Sequence, residues 1–195
     1  MSKPSNTADE ILAAARTLIV AGGYNGFSYA DIAEAVGIRK ASIHHHFPSK
    51  VDLVQTLLKR YLENAVTGMG ELERNVPEPP ELLRTYAGIW ARCIEDASIP
   101  FCVCALLASE LPALPPEVAV EVRAYFQFLS GWLTEVIERG AGQGTLTISA
   151  SPRVEAEAFM ATVHGAMLSA RAYGDVLTFG MILTPTLRKL VPGTD

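Results

Sequence analysis

The residues best suited to chemistry lie in a short basic segment near the amino terminus, on one side of a predicted helix over residues 39–47. The hydrogen-bonding side chains on that side are those of Arg39, Lys40, Ser42, His45 and His46. Ile43 and Phe47 lie one turn apart and are expected to face inward. Donors at the start of an exposed helix can reach the edges of base pairs, and arginine can bond guanine through two hydrogen bonds. The segment therefore predicts a helix that lies in a DNA major groove.

The residues before this helix predict the element and the turn that hold it in place. Ile32, Ala33 and Val36 fall on one face of a short helix. Gly37 then supplies the backbone freedom that a tight turn between two helices needs. Ala33, Gly37 and Ile43 have the spacing of a helix-turn-helix, in which a small residue stands where the helices touch and a β-branched residue locks the second helix.

Further residues of this segment are expected to contact phosphate, which fixes the register of the motif without reading bases. Ser28 caps the helix before the turn, and Tyr29 opens it. Lys50 stands at the start of the following helix, where its charge adds to exposed N–H groups and to the positive end of the helix dipole. Lys40 is a candidate for a phosphate contact alone, whereas Arg39 is a candidate for base reading.

The run His44-His45-His46 raises the question of a metal site. Consecutive residues on a helix point about 100° apart, so three in a row cannot converge on one ion. We therefore expect no metal and no cofactor here. His45 and His46 are expected to face DNA, and His44 to face the groove wall or the neighbouring helix. Histidine at these positions would make DNA affinity sensitive to pH near neutrality.

Cys93, Cys102 and Cys104 leave two interpretations open. Cys102 and Cys104 lie two residues apart and would face nearly opposite ways on a helix, which disfavours a disulfide or a metal site. Buried thiols would behave as small hydrophobic groups. A sensor of electrophiles or oxidants would instead need an exposed thiol with a lowered pKa. Three cysteines, together with a polar Met1–Thr7 in place of an apolar leader, indicate reduced thiols and a cytoplasmic protein.

Helical periodicity continues through the rest of the chain, and we expect an all-α fold with about nine helices. The predicted helices cover residues 8–21, 31–36, 39–47, 50–70, 82–95, 101–111, 116–139, 153–173 and 178–190, each to within about two residues. Thr145–Ile148 alternates briefly like a strand, but we assign it to a loop. No run approaches the ~18 apolar residues of a membrane span.

Charge is unevenly distributed along the chain. Residues 1–60 carry seven Lys/Arg and five Asp/Glu, a net charge of +2, and the remainder carries −7. The overall net charge of −5 is therefore the sum of a mildly basic amino-terminal segment and an acidic remainder of the chain. This distribution is compatible with a nucleic-acid partner for the first segment only.

Residues Gly22–Leu53, GGYNGFSYADIAEAVGIRKASIHHHFPSKVDL, resemble the TetR/AcrR family of one-component bacterial regulators. The helix-turn-helix runs into a His-rich end and then Phe47-Pro48-Ser49-Lys50, a combination that few other helix-turn-helix families share. The resemblance implies a three-helix DNA-binding domain over residues 1–50 and a ligand-binding and dimerisation domain over 51–195. It also implies a homodimer, paired through the last two long helices, that releases a pseudo-palindromic double-stranded DNA operator when a small-molecule effector binds.

The candidates for lining a ligand cavity are mostly aromatic, sulfur-containing or polar residues on apolar helical faces. They are Trp90, Cys93, Cys102, Phe126, Trp132, His164, Met167 and Arg171. His164 and Arg171 lie seven residues apart on one face, where a buried polar group is satisfied either by the core or by a ligand. Arg171 in a cavity would favour an anionic or carbonyl-bearing ligand. Aromatic residues at helical spacing are equally typical of plain core packing.

Two alternatives to a ligand-released repressor stay open. One is a thiol-sensing repressor that acts through Cys93, Cys102 or Cys104. The other is an activator or a DNA-binding protein that responds to no effector. An enzyme is not expected, because the acidic part of the chain shows no nucleophile–base–carboxylate set, no glycine-rich phosphate loop and no metal-ligand spacing. His164 is the single candidate base there.

Overall fold

The computed structural model describes residues 7–95 and 101–191, and those residues form nine α-helices and no strand. The helices are α1 (Thr7–Gly22), α2 (Tyr29–Val36), α3 (Lys40–His46), α4 (Lys50–Asn75), α5 (Pro79–Glu95), α6 (Val103–Ala108), α7 (Pro116–Gly142), α8 (Pro152–Tyr173) and α9 (Leu177–Leu190). The predicted all-α fold is confirmed, and residues 145–148 form a loop as predicted. No helix in the described ranges has the length and apolarity to cross a membrane. Residues 1–6, on which the expectation about a leader depends, lie outside those ranges.

Several helix ends differ from the predicted ones, and each difference has a local cause. α4 continues through Gly68 and Gly70 to Asn75, because a glycine costs a helix only about 1 kcal/mol and packing outweighs that cost. Phe47 leaves α3 in an extended conformation, with φ −136° and ψ 101°, because the residue before a proline avoids helical angles. α5 begins earlier than predicted, at Pro79, because proline is well tolerated in the first turn.

Within the described residues the chain divides into two compact units. Unit 1 comprises residues 7–64 and 101–125, and unit 2 comprises residues 65–95 and 126–191. In unit 1, α1 packs against α2, α3 and α6. Its centre is built from fully buried aliphatic residues, among them Ile11, Ile19, Ile32, Ile43 and Leu53. In unit 2, α8 packs against α9 and both contact α5.

The turn between α2 and α3 depends on one glycine. Gly37 has φ 73° and ψ 31°, the left-handed conformation that ends α2, and its N–H donates to the Ala33 carbonyl at 2.9 Å. The neighbouring Ile38 N–H donates to the same carbonyl at 3.1 Å. The two bonds turn the chain sharply, so that α3 begins three residues after Gly37.

Replacing Gly37 by alanine is expected to lower the free energy of unfolding by about 1–2 kcal/mol, because a side chain strains the left-handed conformation. No neighbouring atom lies within 4 Å of the added Cβ, so the cost comes from the backbone and not from a clash. Urea denaturation followed by circular dichroism measures the change. Gly68→Ala is the matched control, since Gly68 lies inside α4 with open space around it. That control should gain about 0.5–1 kcal/mol, and equal effects of the two substitutions would contradict the account of the turn.

Large apolar side chains of α8, α9 and their connection are exposed in the single chain. They are Leu168, Tyr173, Val176, Leu177, Met181 and Ile182, which we call the α8–α9 apolar face. Leu177 and Met181 are each 72% exposed and lie one helical turn apart, so they share a side of α9. Small residues, including Ala161, Gly165 and Gly180, are exposed on the same two helices. A cluster of this kind marks an interaction surface.

Candidate functional site

A capping box fixes the start of α2, ahead of the basic helix. The Ala30 N–H donates to Ser28 Oγ at 3.2 Å, and the Ser28 N–H donates to Asp31 Oδ2 at 2.6 Å. The Ser28 hydroxyl also donates to Asp31 Oδ2, at 2.8 Å. These hydrogen bonds from Ser28 lower the pKa of the Asp31 carboxyl. The helix therefore begins at a defined residue, as the sequence predicts for Ser28.

The surface of α3 agrees with its predicted division into two sides. Ile43 is completely buried, whereas Arg39, Lys40, His45 and His46 are exposed. Ser42 is half-buried. A shallow groove runs beside this surface and is lined by Thr7, Ile38, Arg39, Ala41, Ser42, His45 and His46. The exposed side of α3 thus presents two fixed positive charges and several hydrogen-bonding groups next to a concave surface.

Tyr29 connects the start of α2 to the end of α3. Its side chain is buried, and its hydroxyl donates to the Phe47 carbonyl at 2.9 Å. Burial, followed by the charge of Asp52, raises the pKa of Tyr29 to about 12. The His44 ring lies 4.7 Å from the Tyr29 ring, and its Nδ1 lies 3.3 Å from the Pro48 carbonyl oxygen. Tyr29 therefore anchors the end of α3, and the exposed His44 ring packs against it.

Lys50 is directed into unit 1 at the start of α4. Its ammonium donates to the Phe27 carbonyl and lies 4.0 Å from the Phe27 ring centre and 4.9 Å from that of Tyr24. Burial lowers the pKa of this half-buried lysine. The start of α4 is itself capped, since the Ser49 N–H donates to Asp52 Oδ2 at 3.0 Å and the Asp52 N–H donates to Ser49 Oγ at 3.1 Å. Lys50 thus ties α4 to the loop between α1 and α2.

The histidines of α3 point in different directions, as consecutive helical residues do. His45 and His46 have ring centres 5.6 Å apart in an edge-on arrangement, and His44 faces Tyr29 instead. Across residues 7–95 and 101–191, no three His, Cys, Asp or Glu side chains are grouped so as to hold a metal ion.

The predicted ligand residues differ in burial and in location. Trp90, Cys93, Cys102, Trp132, His164 and Met167 are buried, Phe126 is half-buried and Arg171 is exposed. Cys102 belongs to unit 1, whereas the others belong to unit 2. The expectation that Arg171 shares a buried face with His164 is wrong. A guanidinium is costly to bury, and in the last turn of α8 this side chain reaches the surface.

Four aromatic rings of unit 2 form one buried cluster. The Tyr86 ring lies 6.4 Å from Trp90, 5.4 Å from Trp132 and 6.3 Å from Phe159, measured between ring centres. The His164 ring lies 5.2 Å from that of Phe126. Burial lowers the pKa of His164 to about 4, so its imidazole is neutral at pH 7. The cluster is therefore apolar with polar nitrogen atoms at its edges.

Cys93, Cys102 and Cys104 are buried, and none of them forms a disulfide bond. Cys102 and Cys104 are completely buried, and the Cys102 thiol donates to the Tyr125 hydroxyl at 3.8 Å. Burial raises the pKa of both thiols. The reactive species of a thiol is the thiolate, and the surroundings of Cys102 and Cys104 disfavour it.

Several residues that shape these sites were not singled out from the sequence. Thr7 is the first residue of α1 and lines the groove beside α3. The Tyr24 N–H donates to a carboxylate oxygen of Glu110 at 3.0 Å, across a separation of 86 residues. Tyr86 and Phe159 complete the aromatic cluster. Their helical spacing was the available signal, and it does not distinguish a site from a core.

The buried Ile43, the left-handed turn and the exposed basic start of α3 together define a helix-turn-helix DNA-binding protein. Residues 11–57 match the family model described as bacterial regulatory proteins, tetR family. A transcriptional regulator of the TetR family from Agrobacterium tumefaciens is 60% identical to this chain, and its crystal structure superposes with a TM-score of 0.93, covering 97% of this chain and 100% of that one. The chain therefore belongs to the TetR family of transcriptional regulators, which confirms the resemblance. Regulators of this family bind DNA and act as dimers.

More distant relatives include both an activator and a repressor. The HTH-type transcriptional activator FasR of Mycolicibacterium smegmatis is 26% identical over 133 residues, which cover 68% of this chain and 59% of FasR. The match thus spans less than two thirds of FasR. The HTH-type transcriptional repressor DhaR of Mycobacterium sp. strain GP1 is 24% identical over 174 residues, 89% of this chain and 86% of DhaR. Similarity alone therefore does not set the direction of regulation.

Proposed function

We propose that this chain is a homodimeric repressor that binds a pseudo-palindromic DNA operator and releases it when a small molecule binds. The observation that carries the proposal is the exposed start of α3, where Arg39 and Lys40 follow the left-handed turn while Ile43 anchors the helix. Side chains at the start of a recognition helix reach base edges in the major groove. We assign DNA binding to residues 1–50 and ligand binding and dimerisation to residues 51–195.

The contacts of each side chain support three different proposed roles: base reading, phosphate contact and positioning of α3. We assign base reading to Arg39, with Ser42, His45 and His46 along the same groove and Lys40 on phosphate. We assign Ser28 to a phosphate contact at the exposed start of α2. The side chains that already bond within unit 1 are those of Tyr29, His44 and Lys50. Their proposed contribution is to position α3 so that its exposed side chains contact DNA.

The α8–α9 apolar face supports pairing with a second copy of the chain. A twofold dimer buries the same surface of both copies, and a cluster of exposed large apolar residues is typical of such an interface. Two recognition helices related by a twofold axis require half-sites separated by about one helical turn of DNA or a multiple of it, ~34 Å each.

The buried aromatic cluster supports a small-molecule effector more than a thiol sensor. Trp90, Trp132 and His164 lie in unit 2 among apolar residues, as a ligand site requires. Cys102 and Cys104 lack the exposure and the lowered pKa that a sensor thiol needs. The ligand binds more tightly to the conformer that has the weaker affinity for the operator. The equilibrium between the conformers shifts by an amount set by the difference in the ligand's affinity for the two.

Selection of bound DNA from a random pool tests the proposal, and a palindrome is the expected result. Arg39→Ala should weaken operator affinity about tenfold or more and relax the sequence at one position of each half-site. Lys40→Ala should weaken all sequences alike and reduce the salt dependence of binding. Arg123→Ala removes an exposed arginine outside the helix-turn-helix and should leave the selected sequence unchanged. Failure to enrich any sequence would refute a sequence-specific regulator.

A further inference from the structure

Three buried side chains of unit 2 carry a nitrogen atom with no hydrogen-bond partner among the described residues. They are Nε1 of Trp90, Nε1 of Trp132 and Nε2 of His164. The three side chains are 8%, 7% and 8% exposed. Folded proteins satisfy nearly all of their buried polar groups. Three such atoms on one set of packed helices therefore call for a partner outside the described residues.

The side chains that carry these nitrogens lie at two positions, or levels, along the axis of α7. Tyr86 lies between the two tryptophans, with ring centres at 6.4 Å and 5.4 Å. His164 lies against Phe126, and Phe126 precedes Trp132 by six residues of the same helix. Six residues of an α-helix rise about 9 Å. A molecule that meets both levels is therefore elongated.

Two other buried polar side chains of unit 2 already have partners. Glu155 is its buried carboxylate, and it accepts hydrogen bonds from the Ser149 N–H at 2.8 Å and the Ala150 N–H at 3.0 Å, with Lys189 at 3.8 Å. The Ser130 hydroxyl donates to Glu157 at 2.7 Å. Arg171 is exposed. Among the described residues, the surroundings of the aromatic cluster thus supply hydrogen-bond donors without a buried charge to balance an ionic ligand.

We propose that the effector is an uncharged, elongated and largely apolar molecule whose acceptor oxygens, such as carbonyl oxygens, bond to Trp90, to Trp132 and to the Nε2–H tautomer of His164. An indole N–H can only donate, so its partner is an acceptor. A carboxylate or an ammonium at this position would be buried without a counter-charge, which is strongly unfavourable. This inference rests on the proposed ligand-released function and names the chemistry of its ligand.

Intrinsic fluorescence offers a direct test, because the chain has two tryptophans and both are in this cluster. The probes share a ten-carbon chain: 2-decanone is uncharged, decanoate is anionic and decylamine is cationic. We expect 2-decanone to give a saturable change in tryptophan emission, and the charged probes to bind at least about tenfold more weakly. The inference is overturned if 2-decanone gives no saturable change or if a charged probe binds as well.

Conservative variants test the role of the donors. Trp132→Phe, Trp90→Phe and His164→Phe each keep an aromatic ring but remove one ring N–H. The single oxygen of 2-decanone reaches one level of the site, so calorimetry should show about tenfold weaker binding in at least one of the three variants. Thr67→Val removes a polar atom from an exposed side chain of α4 in unit 2 and should bind as the wild type does. Unchanged affinity in the folded variants would mean that water, and not a ligand oxygen, satisfies these nitrogens.

Operator binding separates failure of this inference from failure of the proposed function. A protein that selects a palindrome but binds no uncharged probe is still a specific DNA-binding regulator, and the assigned ligand chemistry is then wrong. A protein that binds 2-decanone at the tryptophans while its operator affinity stays unchanged has the site, and ligand-driven release is then wrong. Fluorescence anisotropy of labelled operator, with and without 2-decanone, distinguishes the two results.

Discussion

Replacing Met181 by glutamate is expected to give a monomeric protein whose operator affinity falls about a hundredfold or more. Met181 is 72% exposed on α9, one turn after the equally exposed Leu177. If a second copy covers this side of α9, the new carboxylate is buried without a partner, at a cost of about 3–5 kcal/mol. That cost raises the dissociation constant of the dimer by a factor of about 10²–10⁴. Analytical ultracentrifugation measures the dimer, and anisotropy of labelled operator measures DNA binding.

Val120→Glu is the matched control for Met181→Glu. Val120 is an exposed apolar residue on α7 within unit 1, 57% exposed, and receives the same change of charge. We expect this variant to remain dimeric and to bind the operator normally. A Met181→Glu protein that dimerises as tightly as the wild type would show that the α8–α9 apolar face is not the pairing surface. A monomer with full operator affinity would show instead that DNA recognition needs only one copy.

Features set by neighbouring residues could be predicted from the sequence with good accuracy. Ser28 with Asp31 and Ser49 with Asp52 each make reciprocal hydrogen bonds within four residues. The conformation of Gly37 likewise follows from its place between two short amphipathic helices. The helix-turn-helix is built almost entirely from such local features. For that reason the sequence alone identified both its fold and its exposed side.

Helix ends were predicted less well wherever packing opposed a local signal. The sequence predicts a helix that ends near Gly68 or Gly70, but α4 continues to Asn75 and stops before Pro77. Proline is the stronger signal, because it removes a donor and restricts the residue before it. The same effect ended α3 one residue earlier than predicted, at the residue before Phe47.

Residues that meet across long separations in sequence were beyond prediction. Nothing in the spacing of Glu110 indicates that it accepts a hydrogen bond from Tyr24, 86 residues away. The two tryptophans were selected as ligand candidates, but Tyr86, which joins them, was not. An apolar helical stripe has the same pattern whether it packs against protein or ligand. The structure adds the three nitrogen atoms that have no hydrogen-bond partner among the described residues, a property that depends on three-dimensional position.

Acidification between about pH 6.5 and pH 4 is expected to destabilise the protein through His164. Burial lowers the pKa of this side chain from 6.5 to about 4, so the folded state stays neutral over an interval in which the unfolded chain takes up a proton. The unfolded state then binds more protons, and the free energy of unfolding falls as the pH falls. The full difference corresponds to about 3 kcal/mol. Urea denaturation at a series of pH values from 7 to 4 measures it.

His164→Gln is expected to remove this part of the pH dependence, because glutamine does not titrate. Carboxylates that titrate near pH 4 are common to both proteins, so the difference between the two curves isolates the imidazole. His45→Gln serves as the control, since His45 is exposed on α3, and its curve should follow that of the wild type. If the free energy of unfolding depends on pH in the same way for the wild type and for His164→Gln, then burial does not lower the pKa of His164. The aromatic cluster would then be open to water, which would also argue against a dry site for an uncharged ligand.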